Sequence, residues 1–173
     1  RSRGEAAVDP VRAFLRRSDQ ASSWAMRLLR DILPADRYVT AVVEHLRQLS
    51  EAYTRDPEKK LVLLHEAESL DDSRIAPTAL PFLDDMADDV KIGALRALGP
   101  KAYPEAREPM LKLLTAPETA RRVQTAAIEA IAMSGFGVQG YREKVESLLP
   151  EPFFVDKAGI LKRRGAPAPS QPE

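Results

Sequence analysis

With 173 residues, 44% of them apolar and 30% charged, the chain has enough apolar material for a packed core and too much for a disordered polymer. Twenty-six basic residues balance twenty-six acidic ones, so the global positive field of proteins that bind nucleic acid or anionic membrane surfaces is missing. Cysteine is absent, which excludes disulfides and thiolate metal sites, and no apolar run approaches the ~18 residues needed to cross a bilayer.

The chain opens at Arg1 without a methionine and reads as part of a longer protein. Its basic start, Arg1 and Arg3, also suits the flank of a membrane helix, so a membrane-anchored parent is compatible with it. Residues 1–8 read as a flexible flank. From there to 149 apolar residues recur at helical spacing, while alternating β-branched stretches are hard to find.

The first two helices are predicted over 9–17 and 20–33. Trp24, in the second, is expected to pack between the first helices. The clearest periodicity lies in 35–55, where Val39, Val42, Val43, Leu46, Leu49 and Tyr53 share one face. Asp56-Pro57 breaks that helix and starts the next, since proline fits a first helical turn and disfavours helix in the residue before it. In the helix over 57–70, Leu61, Val62, Leu63 and Leu64 are apolar around more than half the circumference, which predicts a helix sandwiched between neighbours.

Further helices are predicted over 73–83, 88–98, 104–114, 118–134 and 141–149, joined by short linkers. The composition changes at Pro150, so 150–173 is expected to be irregular and largely disordered. Charge is uneven along the chain: +3 over 1–37 (8 basic against 5 acidic), −5 over 38–100 (7 against 12) and +2 over 101–173 (11 against 9).

Two of these helices are copies of each other. Val90 to Leu98 aligns with Val123 to Ile131 at a shift of 33 residues, matching apolar or small residues at 90/123, 94/127, 95/128, 97/130 and 98/131. Their preceding helices align at a shift of 31, Ala79-Leu80 and Leu83 against Met110-Leu111 and Leu114. A two-helix repeat of this size cannot bury its apolar face alone, and stacking supplies the core.

On Pro77, Asp85, Val90 and Lys91 the chain resembles the HEAT repeats and their bacterial HEAT-like relatives, including those of the phycobilin-lyase type. The family pattern is a proline in the first helix, an aspartate eight residues on, then a valine and a basic residue five and six residues later. The resemblance implies that Pro77 kinks the first helix, that Val90 enters the core, and that Asp85 and Lys91 bond between adjacent repeats. The next copy departs from the pattern at Pro109, Glu118 and Gln124. The implied fold is all-α, an α-solenoid of about four HEAT-like helix pairs over 9–149.

Motifs that could carry chemistry have structural readings. Gly135-Phe-Gly-Val-Gln-Gly140 spells a dinucleotide fingerprint but follows a helix where that motif needs a strand, so it reads as a helix stop and a loop. Asp84, Asp85, Asp88 and Asp89 lack EF-hand spacing and suit the N-terminal end of a helix. His45 and His65 lie in no His-Glu-x-x-His arrangement, and Gly-x-Ser-x-Gly is absent.

The expected function is a non-catalytic, cytoplasmic protein-binding or scaffolding module that uses no cofactor. The candidate contact residues are Glu58, Lys59, Glu66, Arg96 and Glu129, on the second helices that line the concave side in such stacks. The rival is DNA-backbone binding of the kind seen in HEAT-like alkylpurine glycosylases, through Arg16-Arg17, Arg121-Arg122 and Lys162-Arg163-Arg164. Neutral overall charge and 6% aromatic content disfavour nucleic acid as the partner.

Overall fold

The computed structural model describes residues 22–52 and 57–165. The flank over 1–8, the helix over 9–17, Tyr53 and the segment 166–173 lie outside the described residues. Among the described residues the chain is mostly helical, with one two-stranded sheet, and it divides between Leu98 and Gly99 into two compact units. The sequence reading had one domain over 9–149.

In the first unit α1 (Ser22–Ile32) and α2 (Ala35–Glu51) are followed by α3 (Glu58–Glu68), a short α4 (Ile75–Ala79) that tightens into a 3₁₀ turn (Leu80–Asp84), and α5 (Asp88–Leu98). α1 buries Ala25, Met26 and Leu29, each 100° of helix away from Trp24 or further. Trp24 is therefore turned outward and is 61% exposed, which corrects the expectation that it packs between helices. In α2 the buried face is Tyr38, Ala41, Val42 and Leu46, rotated slightly from the predicted stripe; Val39, Val43 and Leu49 are half-buried.

α3 packs against α1, α2 and α5, which makes it the sandwiched helix that its apolar run predicts. α2 also packs on α4, and α4 on α5, so first helices touch first helices and second helices touch second helices. Pro77 lies inside α4, where the missing N–H falls within the unbonded first turn, and the helix tightens three residues later. Val90 is fully buried at the start of α5.

The second unit holds 3₁₀ turns at Gly99–Lys101 and Pro104–Ala106, then α6 (Arg107–Thr115), α7 (Arg121–Ser134) and α8 (Arg142–Leu148). α6 packs along α7, with Met110, Leu111 and Leu114 facing Val123, Ala127, Ile128 and Ile131 in the core. Gly99 is needed where it stands, because a Cβ there would lie 2.9 Å from the Cα of Ala130. α7 stops at Gly135, which takes the left-handed conformation at φ 71° that glycine adopts without strain. The motif therefore follows a helix that its first glycine stops, as the helix-stop reading has it.

The irregular tail expected from Pro150 is, over its described part, an antiparallel hairpin. β1 (Phe153–Val155) pairs with β2 (Leu161–Arg163) in the register Phe153 to Arg163 and Val155 to Leu161. Two anchors fix it. Leu161 is fully buried, with β2 packed on α7, and the Asp156 carboxylate closes the turn by accepting the Ile160 N–H at 2.9 Å and pairing with Lys162 at 2.8 Å. Lys162 and the Ile160 N–H hold the Asp156 carboxyl below its ordinary range.

Candidate interaction surfaces

A largely buried ion pair links α3 to the turn before α5. Lys60 on α3 reaches Asp85, in the turn before α5, at 2.6 Å, and the two side chains are only 11% and 14% exposed. The other Asp85 oxygen accepts the Ala87 N–H at 2.9 Å, so one carboxylate both shapes the turn into α5 and receives the lysine. The Phe82 ring lies 6.0 Å from the same ammonium. Lys91, the basic residue that the resemblance puts forward for such a bond, lies 4.0 Å from Asp88 in its own helix.

Lys60 was missed in the sequence because it stands in a less regular copy. The signal was present: a shift of 31, from 60 to 91, sets Lys60 on Lys91 and Leu63, Leu64 and Ala67 on Ala94, Leu95 and Leu98. Asp88 and Asp89 occupy the first turn of α5, where carboxylates favour the positive end of the helix dipole. Among the described residues no three His, Cys, Asp or Glu side chains are placed to hold a metal ion.

The five predicted contact residues divide between the units. Glu58, on the first turn of α3, and Arg96, on the last turn of α5, are exposed; Lys59 is half-buried. Glu66 is held by its neighbours. Its carboxylate accepts the Tyr38 hydroxyl at 2.6 Å and lies 3.4 Å from Arg30. Burial, with that carboxylate as acceptor, pushes the Tyr38 phenol well above its ordinary value, so it is a fixed donor. Glu66 also lines a groove of about 410 Å³ with Ser23, Arg27, Arg30, Leu61, Val62 and His65.

Glu129, in the second unit, lines a larger groove of about 1090 Å³ between the end of α7 and the hairpin. Its apolar wall includes Met133, Phe153, Phe154 and Ile160, and its basic residues are Lys162, Arg163 and Arg164. Sequence reading noted that basic run but had no hairpin to place it on. The groove is firmly framed. Arg107 donates to the carbonyls of Gly137 and Gln139 at 2.9 and 2.8 Å, the Val138 N–H donates to Gly159 at 2.8 Å, and these bonds tie the loop after α7 to α6 and to the hairpin. Arg121 and Arg122 are exposed at the start of α7, outside the residues that line the groove. No known protein-family model matches the chain, and no curated protein and no solved structure matches it either.

Proposed function

We propose that the chain is a non-catalytic protein-binding module, a short α-solenoid of HEAT-like helix pairs that serves as a scaffold within a larger protein or complex. The observation that carries this reading is the Lys60–Asp85 bond, which joins successive pairs in the manner of the HEAT charge ladder. The packing of first helix on first helix and second on second supports it too. A stacked array works through extended surface, and the exposed charges on α3 and α5 are of both signs, which suits a protein better than a phosphate backbone.

Affinity capture with the purified chain tests the proposal. Nuclease-treated lysate of the parent organism is passed over wild-type protein and over the variant Glu58→Lys/Arg96→Glu, whose exposed substitutions leave the helical circular dichroism unchanged. A protein held by the first and released by the second supports the module. Recovery of nucleic acid from untreated lysate, falling steeply as salt rises, would instead favour the DNA-binding reading.

A further inference from the structure

We propose that the groove between the end of α7 and the β1–β2 hairpin binds an acidic peptide segment, which inserts a large apolar side chain beside Met133 and the two phenylalanines and pairs its carboxylates with Arg163 and Arg164. The inference rests on the protein-binding reading above and gives it a surface and a partner chemistry. Three observations carry it.

The first is apolar surface left uncovered on a rigid frame. Met133 is 64% exposed, and Phe153 and Phe154 are only half-buried, although Leu161 of the same hairpin is fully buried and the turn is closed by Asp156. A hairpin held that firmly buries its apolar residues where packing allows, so the remainder form a preformed cleft, and preformed apolar clefts supply the anchoring contacts of interfaces.

The second is charge. Lys162 is committed to Asp156, but among the described residues no carboxylate pairs with Arg163 or Arg164. Both guanidiniums are exposed at the groove with their planar forks available for carboxylates. Glu129 is the single acidic side chain in the lining.

The third separates a peptide from a nucleic acid. Arg163 lies over the Phe153 ring at 5.9 Å, its cross-strand neighbour, and Arg164 over Phe154 at 5.5 Å. A ring face covered by a guanidinium is not a free platform for a base, whereas its edge still packs against an aliphatic or aromatic side chain. The groove on α1 and α3 is a weaker candidate, since its Arg30 already faces Glu66.

The experiment selects short random peptides displayed on phage against the full chain and measures the winners by fluorescence anisotropy. Enriched sequences should carry an excess of Asp and Glu around a Leu, Phe or Met. Their affinity should fall about tenfold or more, about 1.4 kcal/mol, in Arg163→Glu/Arg164→Glu. Met133→Glu should weaken them too, and Glu129→Lys should strengthen them, with circular dichroism unchanged in all three because the sites are exposed.

Basic or uncharged winners, or winners indifferent to the charge reversal, overturn the proposal. So does tighter binding of poly(U) RNA that the same reversal abolishes. Binding that appears only in a chain ended at Gly165 would make 166–173 the occupant and overturn it as well. If the peptides fail while a protein is still captured through Glu58 and Arg96, the groove falls and the module stands; if neither surface holds a protein, the module falls.

Discussion

Burying a lysine beside a carboxylate costs desolvation on both sides, so the Lys60–Asp85 pair stabilises the first unit only while it is complete. Lys60→Met leaves the largely buried Asp85 carboxylate with no cation and should cost about 3 kcal/mol in urea unfolding followed by circular dichroism. The double variant Lys60→Met/Asp85→Asn removes the stranded charge and keeps an oxygen for the Ala87 N–H, so it should recover more than half of that loss. A single variant that costs no more than an exposed ion pair, below about 1 kcal/mol, would mean that water reaches the pair and that it does not clamp the helices together. At this scale the sequence was partly readable. Asp85 stood out because the turn and helix after it follow a regular pattern, whereas Lys60 sits among Lys59 and four consecutive apolar residues, where periodicity does not say which lysine turns inward.

Elements were more legible than their partners. The helix over 88–98 matches its prediction at both ends, because acidic residues open it and Gly99 follows it. Those over 73–83 and 104–114 were each located, but part of each is 3₁₀, at Leu80–Asp84 and at Pro104–Ala106. Pro81 is the second residue of the one turn and Pro104 the first of the other, and a helical period cannot distinguish a 3₁₀ turn that short from an α turn. The hairpin was missed because strands of three residues show no period at all. Its signals were chemical: Phe-Phe-Val, then Asp156 and Gly159 in the turn, then Ile-Leu.

That turn has a pH limit. The folded Asp156 carboxyl lies below its unfolded value, so its contribution is present above the ordinary carboxylate pKa of about 4 and is lost as pH falls through the lower, folded value. The Ile160 amide resonance should therefore shift under acid at a pH below that of a free aspartate. Asp156→Asn should remove the transition while leaving the amide bonded at neutral pH. A midpoint at or above the free value would mean that Lys162 and the Ile160 N–H do not stabilise the charged form.

At the scale of the whole molecule, composition foretold a chain with a packed core, and the structure gives each unit a core of its own. The internal repeat was visible across the boundary at Leu98 because sequence similarity is blind to where contacts thin out. The candidate surface was legible only as a set of outward charges on second helices. Exposure of Glu58 and Arg96 follows from helical spacing, while the capture of Glu66 by Tyr38 and Arg30 depends on how α1, α2 and α3 meet, which no single helix encodes. The groove around Arg163 and Arg164 required the hairpin, and so it could not have been read from the basic run alone.

Trp24 is the single tryptophan of the chain, and its outward position gives the protein an unusual optical character. An indole already wet in the native state should emit near the wavelength of free tryptophan and be quenched readily by acrylamide. Global unfolding should then be almost silent in tryptophan emission while the circular dichroism collapses. A blue-shifted native spectrum with weak quenching would show that the indole is shielded. The same indole would report selectively on anything that covers the outer face of α1, because a molecule docking elsewhere would leave its colour unchanged.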